Sequence, residues 1–421
     1  MRGLAKLGLG AASLVAACGG GGEAKPGSAV TRDSAGIRIV ENSGPAWGAG
    51  KGWTVVDSPL VDIGGRDEPA YELEQVRGPI QLGDGRLALA NAASNEIRLY
   101  DATGKHLRTA GRAGSGPGEY RGIAGIWPGA GDSLLVADIM LRRITVLDAE
   151  GNTGREYSLG GQPSQFVPMG GRIELAIPLG MFTDGSVVGV SQSVVINQAR
   201  PGVYRDSVNV IRYGPDGAVR DTLGRFPGLE MESMTITMGP GSLAMPIAVP
   251  LGKQTMIATR DNHLFVAQNN QWEIEIRGTD GALRTLARAP VTPAKLTPSD
   301  IAAHRKELLG SMEAQPLMRG LPAALKSQMT ARVEQAKYPE TLPYFGALLT
   351  DAEGDVWAQE AAAPTRKAGR FFVVDSTGRW LGTVTMPERF QPTFVGTDAV
   401  YGIWKDEADV EHVRGYRLSK P

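Results

Sequence analysis

Apolar residues alternate with polar ones in short runs along most of this chain, and Gly, Asp and Asn turns separate the runs. From Val76 to Gly111 the order is VRGPIQL, Gly-Asp-Gly, RLALAN, a polar bend, EIRLYD, a tight turn at Asp101 to Gly104, and KHLRTAG. Period-two alternation bounded by turn residues predicts four antiparallel strands joined by hairpins. One such sheet cannot bury its own faces, so it needs neighbours of the same kind. The next unit follows without a gap. Leu87 to Gly104 lies over Leu134 to Gly151 in register, with Ala90 on Ala137, Asn91 on Asp138, Ile97 on Ile144 and Asp101 on Asp148.

Later units diverge but keep two marks. A short polar turn leads into an apolar strand six times, at Asp84-Gly85, Asp132-Ser133, Asp184-Gly185, Asp261-Asn262, Gly354-Asp355 and Asp398-Ala399. The turn after the third strand ends on glycine five times, at Gly104, Gly151, Gly217, Gly281 and Gly378. The sixth third strand, VRGYRL, runs into the C-terminus with no fourth strand after it. The surplus lies at the other end, where Leu60 to Tyr71 resembles His106 to Tyr120, a fourth strand with its link. The predicted fold is all-β: a six-bladed β-propeller over residues 37–421, closed by pairing its first strand with its last blade, which removes open edges.

A helical insertion at about 290–343 is predicted between blades four and five. Thr297 is placed to cap a helix with Pro298 first and Asp300 third, and Ile301, Leu308, Leu309 and Met312 share one side. A second helix from Pro322 aligns Leu325, Met329, Val333 and Ala336.

Composition changes this picture at the N-terminus. The 56 Gly and 27 Pro suit many short strands, and Lys plus Arg at 44 against 45 Asp plus Glu gives no field to attract nucleic acid. Cys18 is the only cysteine, so no internal disulfide is available. Arg2 and Lys6 precede an apolar stretch, Leu7 to Ala17, that is too short to span a bilayer. Val15-Ala16-Ala17-Cys18 resembles the lipobox of bacterial lipoproteins. That resemblance implies a signal peptide over 1–17, lipidation of Cys18 and, with Gly19 next, sorting to the outer membrane. Residues 18–36, rich in Gly and Ala, read as a flexible tether. Membrane contact through the lipid alone and a monomeric state are expected.

The pattern D-G-x-L-x-V-A-[DN], a bend, then R-[IV]-x-[VL]-[LFY]-D-x-x-G resembles NHL-repeat propellers. GRAGSGPGEY, ending at Tyr120, resembles the link in six-bladed propeller lipoproteins of environmental and gut bacteria. The resemblance covers Ile37 to Leu418, with units three to five departing from consensus, and it implies fold far more than chemistry.

Propeller geometry puts second-to-third loops and blade-to-blade links on one face. Three insertions are predicted there: Gln192 to Asp206, Gly224 to Met256 and Pro290 to Pro343. The residues ending the second strands are polar, namely Asn91, Asp138, Ser191, Gln268, Gln359 and Lys405. They are candidates for a ligand-binding ring, with Glu119 and Tyr120 of the link beside them; the plainer reading is that they fasten loops or wedge blades. No residue is assigned as catalytic or metal-binding, and no cofactor is expected. The link lacks a Gly-Lys-Ser/Thr ending, no G-x-S-x-G is present, and His106, His263, His304 and His412 are scattered. Asp351, Glu353 and Asp355 alternate as calcium ligands do, but without the glycine and distal Glu of a calcium loop they read as the blade-five hairpin.

The expected function is a lipid-anchored envelope propeller binding a protein, a polymer or a small polar ligand on its insertion-bearing face. The alternative is a calcium-dependent hydrolase or lyase resembling gluconolactonases, for which Asn91, Asp138 and Glu360 are the nearest calcium ligands. A structural spacer, touching its partner through the blade sides, is a third expectation.

Overall fold

The computed structural model describes residues 27–160, 171–196, 198–238, 241–314, 318, 320–363, 365–366 and 368–420; the signal segment and Cys18 lie outside them. Three strands precede the first complete sheet: β1 (Ala29–Ser34), β2 (Ile37–Asn42) and β3 (Thr54–Ile63). Blade one is β4 (Val76–Gln81), β5 (Leu87–Asn91), β6 (Glu96–Tyr100) and β7 (His106–Ala110). Blade two is β8 (Ile123–Pro128), β9 (Leu134–Asp138), β10 (Arg143–Leu147) and β11 (Thr153–Tyr157). Blade three has five strands: β12 (Gly171–Met181), β13 (Val187–Ile196), β14 (Tyr204–Tyr213), β15 (Val219–Met238) and β16 (Gly241–Ala248).

Blade four is β17 (Thr255–Arg260), β18 (His263–Gln268), β19 (Glu273–Arg277) and β20 (Leu283–Arg288), followed by helices α1 (Pro298–Ala314) and α2 (Ala323–Glu334). Blade five is β21 (Phe345–Thr350), β22 (Val356–Glu360), β23 (Ala368–Val374) and β24 (Trp380–Glu388). Blade six is β25 (Phe390–Val395), β26 (Ala399–Lys405) and β27 (Glu411–Ser419), completed by β3.

The closing strand is where the sequence places it. β3 runs antiparallel to β27, with Ile63 opposite Val413 and Val61 opposite Gly415. Asp62 fixes the pair, accepting from Arg414 Nε at 2.9 Å and lying 2.8 Å from His412 Nδ1. The innermost strands β4, β8, β12, β17, β21 and β25 each contact the next around the axis, and β25 contacts β4. This is a six-bladed β-propeller with a helical insertion between blades four and five.

Its core is divided. Six buried apolar clusters form, one at each blade-to-blade interface. Each sheet is therefore buried by its neighbours on both faces, as the alternating pattern requires. The five turn glycines belong to these interfaces. They have φ between +76° and +88°, and each presses on the fourth strand of the preceding blade: Gly104 on Val61 and Ile63, Gly151 on Ala110, Gly217 on Tyr157, Gly281 on Leu223 and Gly378 on Thr285. Asp101, Asp148 and Asp375 begin three of the turns by accepting two backbone N–H groups on one oxygen.

Order begins earlier than Ile37. β1 pairs with β2 along its length, and β2 adds in parallel to the outer edge of β20. All six β1 side chains are exposed. Backbone pairing and the exposed Arg32–Glu41 ion pair hold this strand, and with no side chain buried its pattern does not distinguish it from a tether. The chain then passes blade five, where Ala46 and Trp47 donate N–H to the Trp380 and Leu381 carbonyls, before entering blade six as β3. Residues 29–63 thus form a strap along the outside of three consecutive blades.

Candidate binding face

The insertion-bearing face is built by second-to-third loops and blade links, and the sequence's capping signals form there as predicted. Thr297 Oγ1 accepts the Asp300 N–H at 3.2 Å, and Asp300 Oδ2 accepts the Thr297 N–H at 3.0 Å, a reciprocal cap that starts α1. The other Asp300 oxygen takes the Thr365 hydroxyl of blade five at 2.5 Å. These donors, the Thr297 hydroxyl foremost, hold its carboxyl below the usual carboxylate range.

The Met-, Gly- and Pro-rich link of blade three is a hairpin. β15 continues far beyond its partner β14 and folds back as β16, with Met231 opposite Ala248. α2 lies against it. Gln328 Oε1 accepts the Thr237 N–H at 2.9 Å, its Nε2 donates to the Thr237 carbonyl at 3.2 Å, and Arg332 pairs with Glu232. A clasp therefore spans from blade five to blade three. Ile301, Leu308, Leu309 and Met312 of α1, and Leu325, Met329 and Val333 of α2, remain only half-buried.

Most of the polar ring fastens loops. Asn91 Oδ1 accepts the Glu74 N–H at 2.7 Å, and its amide donates to Ser94 Oγ. Asp138 accepts four backbone N–H groups, from Arg121, Gly122, Met140 and Leu141. Asp138→Asn is expected to cost about 1–2 kcal/mol in a denaturant titration, because charge-assisted bonds weaken and an amide donor faces backbone N–H groups. Glu119 closes its own loop by accepting from Ser115 and Gly116 N–H and Arg112 Nε. The Gly116 bond leads in holding its carboxyl below the usual range. Tyr120 is buried in the seam between blades one and two, where desolvation pushes its phenol up to about 12. Tyr71 fills the seam between blades six and one in the same way.

Two of the ring positions, Ser191 and Gln359, do not end their strands, whereas Gln268 ends β18 as the sequence reading has it but leaves the fastening to its neighbour. Ser191 does not end its strand: the ladder continues to Ile196 and Ser191 stands opposite Asn209. In blade four the fastening falls to Asn269 rather than Gln268, with Asn269 Oδ1 accepting the Gln254 N–H at 2.7 Å. β22 ends one residue beyond Gln359, at Glu360, which lies 3.1 Å from both Arg366 and Arg370. Lys405 lies exposed, 3.8 Å from Glu411, whose other oxygen accepts the Val76 N–H.

One feature of this face has no counterpart in the side-chain pattern. A groove of about 600 Å³ opens at the rim of this face where the strap meets blades four and five, lined among others by Glu41, Trp272, Glu273, Arg288, Pro290 and Tyr344. Glu273 accepts from Arg288 Nε at 2.6 Å, and the buried Trp272 indole N–H has no partner.

On the opposite face the β21–β22 turn brings Asp351, Glu353 and Asp355 within 4.8 Å of one another, the one such acidic group among the described residues. Asp351 takes the buried place held by Leu82 and Phe182 in the matching turns of blades one and three. Its oxygens accept the Glu353 and Asp355 N–H groups and Trp357 Nε1, each at 2.9–3.0 Å. Burial, reinforced by Asp351, pushes Asp355 up to about 7.

Residues 72–170 match a family model described as DUF5128, 6-bladed beta-propeller. The fold is the shared property. A Bacteroides vulgatus member of the duf4221 family is 13% identical with a TM-score of 0.52, the match covering 88% of this chain and 98% of that one. A Bacteroides fragilis protein described as exported is 12% identical with a TM-score of 0.47, over 91% and 100%. Virginiamycin B lyase of Staphylococcus aureus is 12% identical with a TM-score of 0.39, over 87% and 99%. No curated protein matches the sequence. Among the described residues no helix is long and apolar enough to cross a membrane.

Proposed function

We propose that this propeller is a lipid-anchored, exported binding module of the cell envelope, held at the outer membrane through Cys18. Its ligand is an envelope protein or polymer engaged by the insertion-bearing face. The observation that carries this reading is the clasp: α1 and α2 are tied to blade five by Asp300 and Thr365 and to the β15–β16 hairpin by Gln328 and Arg332. The result is an ordered surface with apolar stripes only half-covered, beside an open groove. Long ordered insertions of this kind are disproportionately functional. The hydrolase alternative relies on Asn91, Asp138 and Glu360, whose oxygens are taken up by backbone N–H groups and two arginines.

Gln328→Ala combined with Arg332→Ala tests the reading. These partly exposed pairs contribute about 1 kcal/mol or less each, so the variant is expected to unfold close to wild type while losing the partners that wild type captures from envelope extracts. If every captured partner stays bound to the double variant and to one altered at Leu308 and Met329, the binding face is not this one.

A further inference from the structure

We propose that Asp351, Glu353 and Asp355 form a site for a hard divalent cation such as calcium on the face opposite the insertions. The donors are all carboxylate oxygens, the ligand chemistry of hard cations. Their atoms all lie within 4.8 Å of one another, no farther apart than a calcium sphere with bonds of about 2.4 Å spans across its diameter.

The second observation is Asp355 itself. It is 8% exposed, and no hydrogen bond from the described residues reaches its carboxylate. A buried carboxylate is ordinarily paired or hydrogen-bonded. The matching positions in blades one and three show the contrast: Arg86 and Ser186 there are bonded to Asp84 and Asp184. Asp351 retains acceptor capacity, since its two oxygens offer about four lone-pair sites and three are used. Glu353 is exposed and held by Lys420 Nζ at 2.5 Å. Asp375, from the β23–β24 turn, adds a fourth negative charge to the field at Asp355, and Lys420 is the cation that opposes it. A divalent cation cancels most of the remaining charge. It would compete with Lys420 for Glu353, so moderate affinity is expected.

The test uses the full chain, stripped with chelator and titrated with calcium chloride at pH 8 by calorimetry and by thermal unfolding. The expected result is one saturable equivalent and a melting temperature that rises with calcium concentration. Asp355→Asn and Glu353→Gln should each weaken binding at least tenfold, and the second, a surface change, carries the test if the first does not fold. No binding up to about 10 mM, well above the weakest extracellular calcium modules, overturns the site, as does a calcium response unchanged in either folded variant. The clasp lies on the other face, so neither outcome bears on partner binding there.

Discussion

Gly281→Ala is expected to destabilise the propeller by about 3–5 kcal/mol and Gly185→Ala by only about 1–2 kcal/mol, read from urea unfolding midpoints. The two glycines have nearly the same backbone, φ +76° and +77°, so the conformational strain of a side chain is common to both. Their surroundings differ. A Cβ at Gly185 meets nothing within 4 Å, whereas one at Gly281 would sit well inside contact distance of the Leu223 backbone. That backbone cannot yield easily, because its neighbours Thr222 and Gly224 pair with Ile211 and Val210 in the β14–β15 ladder. The difference between the two losses therefore reports blade-to-blade packing. Equal losses would show that the turn conformation alone selects glycine and that the blade interface is indifferent to it.

Asp355→Asn is expected to stabilise the protein in chelator at pH 8 by on the order of 2–4 kcal/mol and to leave it nearly unchanged at pH 4. The sign follows from the direction of the shift. Burial raises the Asp355 pKa from 3.8 to about 7 in the folded protein, so the folded state binds a proton that the unfolded chain has released. The stability associated with that neutral acid is fully present below pH 4 and is lost as the pH rises through 7. Asparagine never ionises and keeps it. Unfolding midpoints at pH 4, 6 and 8 give the comparison; parallel curves for the two proteins would mean that the charge is already compensated when Asp355 ionises.

What the sequence made legible is what side-chain pattern and turn chemistry encode. The closing strand was readable because Leu60 to Tyr71 repeats the apolar and glycine positions of His106 to Tyr120, and Tyr71 and Tyr120 occupy equivalent seams. The cap at Thr297 and Asp300 was readable because it is local. β1 was not, since its six side chains are all exposed and its backbone pairing with β2 leaves no alternation in the sequence. The β15–β16 hairpin was hidden in a link whose Gly and Pro content argues for a turn, and its alternation is weak because few of its side chains are buried. Asn269 takes the fastening role one residue beyond the polar position predicted, as strand length differs between blades. The unpaired carboxylate of Asp355 depends on what β23, β27 and the C-terminal residues bring beside it, and local sequence carries no record of that.

The strap also determines how a load at the N-terminus is shared. A pull on Ala29 falls first on the β1–β2 hairpin, then on the parallel seam between β2 and β20, and then on Asn42, whose side chain donates to Arg288 and Gly378 and accepts from Trp380. Trp47, packed on blade five against Gly382, comes next. β3, whose departure would open the ring, is reached last. The outer edges of blades four and five thus act as a mechanical fuse in series with the closure, so tension applied ahead of Ala29 is spent on stripping peripheral strands while the ring stays shut.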